Sequence, residues 1–96
     1  MYKIKIPKKI KVAGMDYDIK YDGVSDGYFG ECCHVDRDLL FSLPVCDEER
    51  LSSTFIHEIS HAVGSEYLSE RDERVIAGMA AGFHQVLEQM GVRFVK

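Results

Sequence analysis

Near residue 44 the spacing of apolar side chains changes from every second residue to every third or fourth. That switch divides the 96-residue chain into a strand half and a helix half. In the first half, Ile4–Ile6 and Ile10–Ala13 alternate apolar residues with lysine, and Pro7 between them suits a sheet edge. Gly14 marks a turn, after which Tyr17, Ile19 and Tyr21 resume the alternation. Asp22–Gly27 has loop chemistry. Phe29–Val35 and Leu39–Leu43 flank the polar turn Asp36-Arg37-Asp38 and read as a second hairpin that Pro44 ends.

The second half reads as two helices. From Asp47 onward, Leu51, Phe55, Ile59 and Ala62/Val63 form one apolar stripe, and Asp47, Glu48 and Glu49 suit the positive end of that helix. Gly64 is a candidate end or bend. A second helix is expected from Ser69, which forms with Asp72 a variant capping box. Ile76, Met79, Phe83, Val86/Leu87 and Met90 form its expected buried stripe, and Gly91 stands where a C-terminal cap belongs. Residues 1–96 are expected to form one α+β domain. Its mostly antiparallel sheet of two N-terminal hairpins would be packed by both helices.

Charge is unevenly placed. Residues 1–20 carry six Lys and two Asp, whereas the remainder carries six Arg or Lys and fourteen Asp or Glu. The lysines alternate with Ile and Val, as on the wet face of a half-buried sheet, and no nucleic-acid-binding signature accompanies them. Nucleic acid is therefore not an expected partner. Three cysteines, Cys32, Cys33 and Cys46, lack paired spacing and read as reduced thiols of a cytoplasmic protein. Met1–Lys5 has no continuous apolar run of a signal peptide, and no run suits a membrane span.

Chemistry enters with His57-Glu58-Ile59-Ser60-His61, an HExxH segment on the first expected helix. Residues four apart share a helix face, so two imidazoles converge on one cation, zinc being the usual one. Glu58 is turned about 100° from His57 and about 60° from His61. It stands beside the metal without binding it, able to take a proton from the water there. Both histidines lie off the apolar stripe of their helix, and a shuffled chain of this composition would show the segment with a probability of about 0.01.

A catalytic zinc site takes three protein ligands and keeps one position open. The next helix offers Glu73, on a stripe with the small residues Ala77 and Ala80, and Glu70 as the alternative; Asp72 is occupied as a cap. Glu66 points about 140° away from His61, and His84 lies about 16 Å along the axis from Glu73. Gly64 and Tyr67 extend the segment to HExxHxxGxxY, near a metzincin pattern, but Tyr is a poor substitute for a third His. Tyr67 or Tyr28 is a candidate donor to an oxyanion. Cys33-His34 raises a deformylase-like Cys ligand, but adjacent strand residues face opposite ways and the cysteines read better as buried, inert thiols.

The runs Ile4–Val12, Phe29-Gly30-Glu31, Phe55–Val63 and Glu73–Ala77, in that order, resemble small phage and prophage zincin-like metallopeptidases. These are similar to ImmA/IrrE-type and SprT-like peptidases. The resemblance implies one Zn²⁺ per chain held by His57, His61 and Glu73, with Glu58 as general base, and a phage- or prophage-encoded protein inside a bacterial host. It also implies hydrolysis of a peptide or protein substrate laid along an edge strand, expected at Leu39, Leu40, Phe41, Ser42 and Leu43. The expected function is zinc-dependent peptide-bond hydrolysis by a Glu-activated, metal-bound water. The rival is a non-catalytic interaction module with a structural zinc site, which a domain this small has reason to use.

Overall fold

The computed structural model describes residues 1–42 and 47–96. The strands are β1 (Tyr2–Lys5), β2 (Lys9–Val12), β3 (Met15–Lys20), β4 (Gly30–Cys33) and β5 (Asp38–Phe41). After them come the helices α1 (Glu48–Leu68) and α2 (Glu73–Gln89), and a last strand β6 (Val92–Val95). Ala13 and Gly14, both at positive φ (52° and 79°), make the two-residue turn whose twist suits the β2–β3 hairpin. β4 and β5 form the second hairpin, so the two expected hairpins are present and the α+β class holds.

The sheets are more mixed than the alternation suggests. β3 and β5 pair in parallel, giving the order β2-β3-β5-β4, while β1 pairs in parallel with β6 in a separate two-stranded sheet. The expected edge strand is thereby corrected. Leu39, Leu40 and Phe41 lie in β5, hydrogen-bonded on both sides and buried, and Ser42 N–H donates to the Phe29 carbonyl. Leu43 lies outside the described residues, as does Cys46. The outer strand on that side is β4.

Tyr17, Ile19, Leu39 and Phe41 from the sheet meet Leu51, Phe55 and Ala62 of α1 in the core. Tyr17 is fully buried, and its hydroxyl donates to the Glu66 carboxylate at 2.7 Å. Burial first, and that carboxylate second, push the Tyr17 phenol up to about 12. The Ser52 hydroxyl, 1% exposed, accepts the Phe94 N–H at 2.9 Å and ties β6 to α1. On the wet face Lys9 and Lys11 sit beside Asp18 and Asp16, their partners across the hairpin, while Lys3 and Lys20 pair with Glu48 and Asp38 of the acidic remainder, so part of the charge separation along the chain closes in space. Among the described residues no helix is long and apolar enough to cross a membrane.

The helical half departs from expectation in two places. α1 runs through Gly64 to Leu68, and Ser69 (φ 51°) ends it in the left-handed conformation instead of starting α2. Asp72 is the cap of α2, its side chain accepting the Arg74 N–H at 2.9 Å. Of the expected buried stripe on α2, Ile76 is buried, but Met79, Phe83, Val86 and Met90 are exposed, because α1 covers only one flank of that helix.

Gly64 permits the close helix crossing. A Cβ there would lie 2.7 Å from Ile76 Cδ1 and 3.1 Å from the Glu70 carbonyl oxygen. Gly64→Ala is expected to lower unfolding free energy by about 1–2 kcal/mol, overpacking outweighing the gain in helix propensity. In an Ile76→Val background, which removes the nearest atom, the penalty should shrink by roughly half. Equal penalties in both backgrounds, measured by chemical denaturation, would disprove this contact.

Candidate metal centre

His57 and His61 stand one turn apart on α1, their ring centroids 5.0 Å from each other and tilted by 58°. Their Nε2 atoms converge on one carboxylate: His57 Nε2 is 2.9 Å from Glu73 Oε1, and His61 Nε2 is 2.7 Å from Glu73 Oε2. Glu73 is the first residue of α2, and the reversal through Ser69–Asp72 brings it back over the α1 face that carries the two imidazoles. The alternative, Glu70, is engaged elsewhere: its N–H donates to the Gly64 carbonyl and its Oε2 accepts the Asp72 N–H at 3.1 Å.

Donor chemistry and spacing fit a divalent cation. Two imidazole nitrogens and a carboxylate oxygen, all within 4.8 Å of one another, form a His₂Glu set. Ligands about 2.0 Å from a tetrahedral zinc stand about 3.3 Å apart, so the carboxylate must draw back by roughly half an ångström. Glu73, its side chain 65% exposed, has room to do so.

Glu58 is buried beside these ligands (7% exposed) and shares their helix. Burial, reinforced by the negative charges of Glu73 and Glu31, raises its carboxyl to about 7. A cation on the adjacent imidazoles would oppose that rise. Gly30 makes this burial possible. A Cβ at Gly30 would sit 2.6 Å from Thr54 Cγ2, 3.0 Å from the Leu40 carbonyl oxygen and 3.3 Å from Glu58 Cγ, so α1 reaches β4 only because that position has no side chain. Phe29-Gly30, noted in the sequence for its resemblance, thus has a steric role that composition could not show.

An open groove of about 650 Å³ runs along α1 from His57 and Glu58 toward its N-terminus. Tyr28, Phe29 and Gly30 form one wall, and Arg50, its guanidinium 4.4 Å over the Phe29 ring, helps form the other. Tyr28 therefore lies in the groove that reaches His57 and Glu58, 62% exposed. Tyr67 does not. Its hydroxyl accepts the Ala13 N–H at 3.0 Å, and its ring borders a separate cleft with Ile4 and Pro7, apart from the groove at His57 and Glu58.

Cys32 and Cys33 are half-buried rather than fully buried, and neither joins the ligand cluster. Burial, with the nearby Glu58 charge next in weight, pushes the Cys32 thiol up to about 12, the opposite of what a thiolate ligand needs. Its Sγ lies 3.7 Å from His34 Nδ1. His84, which the sequence excludes from the ion, stands farther along the groove with Nε2 3.9 Å from Glu49. Glu49, His84 and Glu88 also come within 4.8 Å, but the Arg93 guanidinium grips Glu88 at 2.7 and 3.1 Å and would have to be displaced by any cation.

Glu73→Ala is expected to weaken zinc affinity by more than the roughly 10–100-fold that partners outside the ligand set are worth. His61→Ala should abolish stoichiometric binding, and Tyr67→Phe should change nothing. Isothermal titration of zinc into each variant checks this, and unchanged affinity in Glu73→Ala would remove it from the ligand set. Compared with protein-family models, curated proteins and solved structures, the chain matches no family model, no curated protein and no solved structure.

Proposed function

We propose that this chain is a zinc-dependent metallopeptidase that hydrolyses a bond of an extended peptide held in the groove between β4 and α1. One observation carries the reading. His57, His61 and Glu73 converge as three donors, and a buried carboxylate of raised pKa, Glu58, stands beside them. A purely structural zinc is normally enclosed by four protein ligands, whereas only three converge at these histidines among the described residues. That count favours an enzyme over an interaction module.

His57, His61 and Glu73 would hold the zinc. Bound there, it would supply Lewis acidity toward the scissile carbonyl and make water a better nucleophile near neutral pH. Glu58 accepts the proton that water loses as it attacks and delivers it to the leaving amine nitrogen, so the carboxylate is regenerated when the bond is cut. β4 is the outer strand, so main-chain hydrogen bonds from an added peptide strand form there. This edge takes the place of the one expected at Leu39–Leu43. Tyr28 and Phe29, at the entrance to β4, flank the peptide, and the Tyr28 hydroxyl is the remaining side-chain candidate for a substrate contact.

Glu58→Gln separates the two functions. Zinc content and melting temperature should stay close to the parent protein, while hydrolysis of a quenched-fluorescent peptide library should fall by about 10²–10⁴-fold. Chelation should abolish the parent's activity, and added zinc should restore it. Cleavage that persists undiminished in Glu58→Gln would remove Glu58 as the base, and a zinc-bound parent that cleaves nothing would eliminate the peptidase reading and leave the module.

A further inference from the structure

Met79, Phe83, Val86 and Met90 are 47%, 54%, 53% and 70% exposed, although their spacing is that of a buried stripe. With Val75 they occupy an arc of roughly 100° on α2, beside the flank that Ile76 and Ala80 bury against α1. The surface continues across a cleft of about 330 Å³ onto Val63 and Leu68 of α1, themselves 40% and 66% exposed. These side chains leave open about 700 Å² of apolar surface, more than the roughly 300–600 Å² of the largest patch on a typical monomer.

We infer that this face is the interface of a two-fold homodimer in which α2 packs antiparallel against α2 of a second copy. The inference is independent of the proposed peptidase activity. Three observations favour a second copy over another partner. First, the stripe is self-complementary. Gly82 lies within it, and a Cβ there would meet nothing within 4 Å, so it forms a notch next to the projecting Phe83 ring. A two-fold axis passing between Gly82 and Phe83 seats each Phe83 in the other copy's notch and sets Met79 against Val86 and Val75 against Met90.

Second, no charged residue occurs from Val75 through Leu87, where His84 and Gln85 are the polar side chains. Pairing this helix with itself therefore opposes no like charges, the usual obstacle to an isologous contact. Third, the area is sufficient. Complete coverage of this surface in two copies would bury up to about 1,400 Å² in total, within the roughly 1,200–2,000 Å² of stable protein interfaces.

Sedimentation velocity from micromolar to sub-millimolar protein tests the inference. The parent chain should sediment at twice the chain mass at the upper concentrations. Phe83→Glu should raise the dimer dissociation constant at least about thirtyfold, as expected for a central anchor residue. Val86→Gln, a milder change at a half-exposed position, gives the same direction should Phe83→Glu fail to fold. Ala81→Glu, at an exposed position about 160° round α2 from the middle of the stripe, should leave the dimer intact. A parent chain that stays monomeric throughout would overturn the inference, as would a dimer whose affinity ignores both stripe substitutions.

Discussion

The crossing of α2 over the last turns of α1 sets the rest of the molecule. Two backbone N–H groups, those of Ser69 and Glu70, return to the single carbonyl of Gly64, so the chain leaves α1 by a fixed left-handed exit and not by fraying. Asp72 then caps a new helix three residues later, and Ile76 drops onto the bare backbone of Gly64. The first side chain of α2 is therefore delivered to one defined place, above the imidazoles of His57 and His61. The convergence of His57, His61 and Glu73 is a product of helix–helix packing, and anything that loosens this crossing also loosens Glu73.

The two carboxylates beside the imidazoles differ in environment. Glu73 is largely exposed, reaches both imidazoles and can follow a cation. Glu58 is held under the edge of β4, where burial makes its proton more tightly bound than usual. A buried carboxyl with a tightened hold on its proton is the kind of group that general acid–base chemistry uses. Gly30 decides this on the sheet side. Without a side chain there, β4 closes over Thr54 and Glu58, and water around Glu58 is restricted while the neighbouring groove stays open. The same closeness places Cys32 near the Glu58 charge, which helps keep that thiol protonated and outside the ligand set.

The HExxH face and the Glu73 position were legible because both depend on local helix geometry and on small residues flanking one acid. The two hairpins were legible because alternation and turn residues are local as well. The strand order was not, since alternation does not say which strand lies in the middle. Leu39-Leu40-Phe41 did hold a clue, an unbroken apolar run of the kind found where a strand is covered on both faces. β6 pairs with β1 across nearly the whole chain, and nothing in Val92–Val95 announces so distant a partner. At the helix junction, Ser69 and Asp72 are both good caps in sequence. The choice fell to Asp72 because Ser69 took up the left-handed exit, a conformation that non-glycine residues seldom adopt. Tyr67 misled for a related reason: helical spacing put it near the motif, but its hydroxyl found the unpaired Ala13 N–H of the β2–β3 turn.

The exposed stripe of α2 follows from the size of the chain. One sheet face and one helix make the core, and a domain this small has no further layer to lay over the second helix. The apolar period of α2 predicts a buried stripe, but the single chain buries only Ile76 of that stripe, together with Ala80 beside it. In the inferred dimer the second copy supplies the missing layer. That arrangement bears on the metal centre as well, because α2 carries Glu73 at its first residue. A helix anchored along one flank can rock about its contact with Gly64, whereas one packed on two flanks cannot do so without opening an interface. Pairing through α2 would thus stiffen Glu73, the candidate third ligand, from a distance, and the two features share one mechanical element.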